Sequence, residues 1–308
     1  MTAASSSPAA TSQPFRRRLS VWLCLGRVSN LPTVWSNVLA ALLLAGAAQP
    51  GSLWPALAVV FSAFYVGGMY LNDAFDRDID RRERPARPIP SGQVSARAVF
   101  AWGFAALLAA TAALGAVARE EHVSIAKALL SGAALAALIV FYDAYHKQNP
   151  LSPLVMGACR VMIYVAVAVS VKGEWSPAVL IGAGALWCHL IGLTYAAKQE
   201  AFNRLTRLWP LAFLAVPFAY GVWLALREPL VWPFLAALAA WVLRALWFLR
   251  SGAGRSVPGA VVRLIAAISL LDAVLIAGSG ASSAPVWALV AALGCALTRM
   301  FQRYVPGT

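Results

Sequence analysis

Four aspartates crowd into eight positions of the run Asn72-Asp73-Ala74-Phe75-Asp76-Arg77-Asp78-Ile79-Asp80, although the 308-residue chain has only 12 acidic residues. The run comes directly off an apolar stretch. In a helix, Asp73, Asp76 and Asp80 stand at i, i+3 and i+7 and share one face, with Asn72 four residues before Asp76. Bare carboxylates this close repel one another, so the cluster is costly unless a cation neutralises it. Hard oxygen ligands of this kind suit Mg²⁺, typically held by one or two carboxylates together with substrate phosphate oxygens. The spacing points to a magnesium–diphosphate site, with Asp73, Asp76 and Asp80 as metal-binding and catalytic residues.

The elements that must position this cluster are membrane helices. The chain is 61% hydrophobic and 12% charged, with a mean hydropathy of +0.71, which excludes an ordinary soluble domain. Ten apolar runs are long enough to cross ~30 Å of hydrocarbon. They lie at roughly 31–48, 54–72, 97–118, 124–145, 152–171, 177–197, 208–226, 231–249, 259–279 and 284–303. Nine spans is the alternative, the last two being the hardest to separate. The expected fold is therefore all-α, a polytopic transmembrane bundle. Residues 1–20, free of acids and ending near Arg16-Arg17-Arg18, read as a disordered polar and basic tail ahead of one transmembrane domain over 21–308.

Orientation follows from the basic residues. With the amino terminus cytoplasmic, that side collects Arg16–Arg18, the cluster from Arg77 to Arg97, Lys147, Lys198, Arg204, Arg207, Arg299 and Arg303. The other side has only Arg119, Lys127, Lys172 and Arg227, accompanied by Glu120, Glu121, Glu174 and Glu228. The net charge of +13 is thus a topology signal and an attraction to anionic lipid, not a nucleic-acid surface. A bacterial inner membrane is expected, an organelle membrane being the alternative. Cys24, Cys159, Cys188 and Cys295 have no metal or redox spacing and read as small core residues.

Between residues 73 and 96 the aspartates give way to Arg84-Pro85-Ala86-Arg87-Pro88-Ile89-Pro90-Ser91-Gly92, where three prolines stop any helix and shape a loop. Other polar connections on the same side are Tyr145-His146-Lys147-Gln148-Asn149-Pro150, Lys198 to Arg207, Arg250 to Val257 and the carboxyl end. Asn72-Asp73-Ala74-Phe75-Asp76-Arg77 also aligns without gaps on Gln199-Glu200-Ala201-Phe202-Asn203-Arg204, four spans later. The alignment suggests two pseudo-repeated halves, with chance the competing reading. The chemistry is placed at the cytoplasmic mouth of the bundle.

These residues resemble the UbiA superfamily of intramembrane prenyltransferases. Its first motif, Asn-Asp-x-x-Asp-x-x-x-Asp, is complete as Asn72, Asp73, Asp76 and Asp80. Arg87-Pro88-Ile89-Pro90-Ser91-Gly92 is similar to the loop that follows it. Arg27 with Asn30-Leu31-Pro32 and Asn37 resembles the family's first helix, and Lys147 with Pro150 its link between spans four and five. The second acidic motif is degenerate: Tyr195-Ala196-Ala197-Lys198-Gln199-Glu200-Ala201-Phe202-Asn203-Arg204 carries one acid, and Arg207 stands where Asp80's counterpart would be.

The resemblance implies transfer of an isoprenoid group from an allylic diphosphate to an aromatic or lipid-like acceptor, assisted by Mg²⁺. Asn72 would be a neutral ligand or donor. Lys198, Arg204 and Arg207 would bind diphosphate oxygens directly, with Glu200 and Asn203 as residual ligands or as holders of those cations. Arg87 and Lys147 are placed at the substrate as well, and Arg160, about nine residues into span five, within reach of the diphosphate. Tyr70 and Tyr195, each just before a motif, are the candidate lining aromatics. Asp143 is a ligand, a base, or a partner of Lys147. His189 is a structural histidine or an acceptor contact, and Asp272, deep in the ninth span, serves helix pairing or the acceptor. The alternatives are a non-catalytic isoprenoid or lipid carrier, or a transporter, on the same scaffold.

Overall fold

The computed structural model describes residues 12–47, 50–51, 53–147, 149–198, 209–248 and 257–307. All regular structure among them is helical: α1 (Ser12–Leu25), α2 (Leu31–Leu44), α3 (Leu53–Phe75), α4 (Arg77–Glu83), α5 (Ala96–Glu120), α6 (Ile125–Tyr145), α7 (Ser152–Lys172), α8 (Pro177–Lys198), α9 (Ala215–Ala225), α10 (Val231–Trp247), α11 (Val257–Ala277) and α12 (Ala284–Phe301). Seven are long and apolar enough to cross a membrane, and three shorter apolar helices span Val28–Leu44, Leu211–Ala225 and Val231–Trp247. Each of the ten expected runs has its helix. The short ones have local causes. Before α2 the chain passes through Arg27 in the left-handed region (φ 42°) and one 3-10 turn, Val28–Asn30. Before α9 the 3-10 segment Trp209–Leu214 takes up part of the run.

Helix ends follow sequence chemistry. Pro32, Pro153 and Pro285 sit in first turns, where a missing N–H costs nothing. Ser95 and Ser124 cap α5 and α6 by accepting from the Ala98 and Lys127 amides. Gly173, at φ 78°, closes α7 in the left-handed geometry a glycine takes without strain.

The centre of the bundle is α11 packed on α2. Every residue from Ala266 to Ala277 and from Ser36 to Leu44 is buried. A helix apolar all round must be surrounded by other helices, and α11 packs against α2, α8, α10 and α12. Around this axis α3 packs on α5 and α7 on α8, while Leu108, Leu130, Leu243 and Val286 stay exposed on the outer surface, as lipid-facing residues do. With no hydrophobic drive between helices in lipid, close approach needs small residues. Gly67 and Gly103 supply it: a methyl on Gly103 would lie 2.7 Å from Leu71 Cγ and 3.2 Å from the Gly67 carbonyl oxygen.

One boundary differs from expectation. A helix begins at Ser12, inside the segment assigned to a tail, while residues 1–11 lie outside the described residues. It is held by its last turns: Val21, Trp22 and Leu25 pack with Val99 and Tyr70, the Trp22 and Tyr70 rings 5.2 Å apart edge to face. The second half of the possible repeat, 199–204, also lies outside the described residues.

Candidate active site

The acidic run is carried past the end of α3 almost without a break. The Asp76 amide donates to the Asn72 carbonyl (3.0 Å) and the Asp80 amide to the Asp76 carbonyl (2.9 Å), so helical spacing continues through the turn into α4. Asp73, Asp76 and Asp80 are accordingly all buried, at 8%, 5% and 2% exposure. Asp78, off that face, points outward to Arg77 and Arg81.

The buried carboxylates are neutralised by the protein's own cations. Arg87 Nη1 donates to Asp80 Oδ2 (2.8 Å) and to Asp73 Oδ1 (3.2 Å), and Arg27 Nη2 reaches Asp73 Oδ1 at 3.4 Å. Asp76 Oδ2 lies 3.3 Å from Lys147 Nζ and 3.5 Å from His146 Nε2. Burial alone would push the Asp76 carboxyl up, but the His146 hydrogen bond, its charge and Lys147 outweigh that and hold it below its ordinary value. The loop after α4 is turned as its prolines require. Ser91 N–H donates to the Arg87 carbonyl, Gly92 adopts φ 75°, and Arg87 is thereby aimed back at the aspartates.

Beneath this charged cluster opens a cavity of about 510 Å³. Its interior is apolar: Phe61, Phe64, Leu135, Ile163, Leu190 and Ile268 line it, from α3, α6, α7, α8 and α11. Its mouth is polar, with Arg27, Arg84, Arg87, Asp143 and His146. The three motif aspartates are absent from the lining, so the cations stand between them and the hollow. Among the described residues no ready-made group of three His, Cys, Asp or Glu side chains converges on one point. The donor set still fits Mg²⁺. It is all carboxylate oxygen, and the ion pairs use Oδ1 of Asp73 and Oδ2 of Asp76 and Asp80, which leaves each a second oxygen.

Asn72 donates its amide to Asp143 Oδ1 (3.1 Å), which makes it an orienting donor within the protein. Asp143 Oδ2 is buried with no hydrogen-bond partner. Lys147 pairs with Asp76, not with Asp143. Arg160 is set deeper than expected. Its Nη1 donates to Asn37 Oδ1 (2.7 Å), its Nη2 to Thr33 Oγ1 (3.1 Å), and its guanidinium lies 5.5 Å from the Tyr65 ring centre. Tyr65 precedes Asp73 by eight residues of α3, roughly 12 Å of helix, so Arg160 belongs to the cavity floor and not to the mouth. Asn37 in turn donates to Asp272, which also accepts from Ser36 (2.5 Å) and Tyr164 (2.5 Å). Asp272 therefore ties α2, α7 and α11 together.

Other expected contacts fall elsewhere. Tyr195 hydrogen-bonds the Pro150 carbonyl (3.1 Å) and Tyr70 the Trp22 carbonyl (3.4 Å), and neither lines the cavity. His189 is buried with Nε2 3.0 Å from the Leu264 carbonyl, a structural histidine. The backbone of Lys198 ends α8, but its side chain and the whole of Glu200, Asn203, Arg204 and Arg207 lie outside the described residues. Sequence reasoning missed His146 and Arg84 as parts of the mouth. A histidine immediately before Lys147, at the inner end of a span, was the available signal.

Comparison with known proteins identifies the family. A model of the UbiA prenyltransferase family matches residues 31–260. A digeranylgeranylglyceryl phosphate synthase of Methanopyrus kandleri is 30% identical over 262 residues, 81% of this chain and 88% of that protein. One from Methanothrix thermoacetophila is 35% identical over 129 residues, 41% of this chain and 45% of that protein, so the match spans less than half of that relative. Among solved structures, a UbiA homolog from Aeropyrum pernix K1 is 20% identical, covering 90% of this chain and 98% of that one with a TM-score of 0.46. The family match takes in the first motif, the arginine loop and the cavity walls up to the start of α11, and the chain belongs to the UbiA prenyltransferase family.

Proposed function

We propose that this membrane protein transfers an isoprenoid group from an allylic diphosphate to an aromatic or lipid-like acceptor, at the mouth of the cavity beneath α4. One observation carries the reading: three buried carboxylates, each matched to a cation, stand over an apolar hollow of about 510 Å³. Asp73, Asp76 and Asp80 would hold Mg²⁺, which when bound supplies positive charge to a leaving diphosphate. Arg27 and Arg87, already at the mouth, can exchange a carboxylate oxygen for a diphosphate oxygen with the same donor geometry. Lys198 and Arg204 would add donors from the second half, with Glu200 and Asn203 beside them. Phe61, Phe64, Leu190 and Ile268 offer the isoprenoid a dry wall, and exclusion of water keeps an allylic cation from premature capture.

The relatives named for synthesis of a glyceryl phosphate lipid favour a lipid-like acceptor over an aromatic one. Membrane lipids surround the bundle and nucleic acid has no part in the reaction. The basic residues around the motif support a cytoplasmic position for that end. The test incubates purified protein with labelled farnesyl and geranylgeranyl diphosphates and a membrane extract, with and without Mg²⁺. Label should enter a lipid-soluble product only with Mg²⁺, and Asp76→Ala or Asp80→Ala should lower the rate roughly 10²-fold or more. Absence of transfer, or transfer indifferent to both substitutions, refutes the proposal.

A further inference from the structure

From residue 244 to residue 303 the chain carries six arginines and one acid, Asp272. Four of the arginines, Arg244, Arg263, Arg299 and Arg303, stand at one end of α10, α11 and α12 or just beyond it. Trp241 Nε1 donates to the Arg263 carbonyl (3.0 Å), which sets the last turns of α10 beside the first turns of α11. Gln302 Nε2 donates to Asn30 Oδ1 (3.0 Å), which puts the end of α12 level with the start of α2. The four side chains fall close enough that the charges of Arg244 and Arg299 act on Arg263, and those of Arg244 and Arg303 on Arg299. Asp272 does not serve them: it lies nine residues beyond Arg263, roughly 13 Å along α11, and is taken by Ser36, Asn37 and Tyr164. Among the described residues none of the four makes an ion pair. Their polar contacts are neutral. Arg263 Nη1 donates to the Gly259 carbonyl (2.6 Å) and its guanidinium lies 3.6 Å from the Phe248 ring centre, while Arg299 Nη1 donates to Gln302 Oε1 (2.7 Å). Most of each five-donor fork is therefore unspent.

We infer that Arg244, Arg263, Arg299 and Arg303 form a binding site for the phosphate of an anionic phospholipid, on the outside of the bundle and apart from the cavity. Val261, Ile265 and Ile268 turn one face of α11 to the hollow, and Arg263, roughly 200° round the helix from Val261, turns the other way, against α10. Basic residues that only set topology can spread their charges into water. Here Arg263 and Arg299 are partly buried beside each other, an arrangement that like charges disfavour until an anion joins them. Phosphate oxygens accept from guanidinium forks in pairs, so one headgroup can bridge arginines on neighbouring helices. The surroundings favour a lipid over a free anion. Leu243 and Trp247 on α10, and Met300 and Tyr304 at the end of α12, are exposed at 66%, 47%, 47% and 81%. Exposed apolar and aromatic side chains beside a ring of cations mark the level where hydrocarbon meets headgroups, and they offer acyl chains a surface that inorganic phosphate could not use. Binding here does not depend on prenyl transfer.

The experiment titrates the full chain, delipidated in detergent, with phosphatidylglycerol or phosphatidylcholine, and follows bound lipid by native mass spectrometry together with the melting temperature. Phosphatidylglycerol should bind roughly tenfold or more tightly than phosphatidylcholine, raise the melting temperature, and weaken as salt rises. Arg263→Gln/Arg299→Gln should lose roughly 10–30-fold in phosphatidylglycerol affinity, about fivefold for each arginine, and lose the thermal shift. Without lipid that variant should melt no lower than wild type, since it removes two charges that repel. Arg244→Gln changes an exposed side chain and should by itself cost about fivefold. Arg81→Gln/Arg82→Gln removes the same charge from exposed positions of α4 and should leave the affinity unchanged. An equal loss in the α4 variant would reveal a diffuse basic surface, and displacement of the lipid by stoichiometric inorganic phosphate at constant ionic strength would reveal a free-anion site. Either result, or equal affinity for the two lipids, overturns the inference and leaves the prenyl-transfer reading untouched.

Discussion

Replacement of Asp272 by alanine should destabilise the bundle more than any other single change at a site remote from the motif. The side chain is 0% exposed and accepts from three others: Ser36 Oγ at 2.5 Å, Tyr164 OH at 2.5 Å, and Asn37 Nδ2 at 2.8 and 3.0 Å. Interhelical hydrogen bonds in membrane proteins contribute on average about 0.6 kcal/mol and at most about 1.7. Three donors left unpaired therefore cost roughly 2–5 kcal/mol, the upper half being expected because the lost acceptor is a carboxylate. Asn37 would also lose its anchor while still accepting from the half-buried Arg160 guanidinium at 2.7 Å. Arg160→Met made in the Asp272→Ala background should then restore part of the loss, since the uncompensated cation is gone. Reversible unfolding in mixed micelles measures all three variants. A loss below about 0.5 kcal/mol for Asp272→Ala, or strict additivity in the double variant, would show that the α2–α7–α11 network is not what joins those helices.

The remaining expectations concern the mouth and the packing. Arg87→Met strips the 2.8 and 3.2 Å donor from Asp80 and Asp73, and should lower both thermal stability and kcat/KM, the latter roughly 10²-fold; unchanged turnover would remove Arg87 from the site. Arg84 lines the cavity and is exposed, with no carboxylate partner among the described residues, so Arg84→Ala should raise the KM for the diphosphate without moving the melting temperature. Gly103→Ala places a methyl 2.7 Å from Leu71 Cγ and should cost about 1–3 kcal/mol, while Gly184→Ala, with open space at its Cβ, should be neutral or mildly stabilising in the same melt. For Asp76 the folded carboxyl titrates below the unfolded value of about 3.9. The stability it contributes is full above about pH 4 and is lost as pH falls through its depressed folded value, and Asp76→Asn should abolish that acid limb in a pH series of melts.

What could be read in advance was whatever repeats along the chain. Ten helices followed from the length of apolar runs, and the inward face of Asp73, Asp76 and Asp80 from the helical period, because both depend on neighbours in sequence. The charge partners of those aspartates did not follow. Arg27 lies 46 residues before Asp73, and His146 and Lys147 come from the end of another helix; only packing brings them to the motif. Asp272 found its partners on α2 and α7, more than 100 residues away, for the same reason. Helix α1 was hidden because its composition is that of a polar tail, and what orders its end is a Trp22–Tyr70 contact across 48 residues.

The charges at the mouth suggest why the carboxylates are screened and not bare. Asp73, Asp76 and Asp80 bring three negative charges when ionised, and Arg27, Arg87 and Lys147 bring three positive ones within 3.4 Å of them. Each buried carboxylate thus has a cation beside it, which is what a low-dielectric boundary demands of buried ions. A diphosphate arriving alone would add several negative charges, against which the mouth offers Arg84 as a cation with no carboxylate partner among the described residues. Arriving with a divalent ion it is nearly neutral, and each arginine released from a carboxylate finds a phosphate oxygen of similar geometry. The same side chains can thus pair with the carboxylates and receive the leaving group. Asp143 lies beside this cluster with no ion-pair partner among the described residues, its carboxyl held by the neutral amide of Asn72. A buried carboxyl in that position favours its neutral form, which keeps the boundary free of an uncompensated charge.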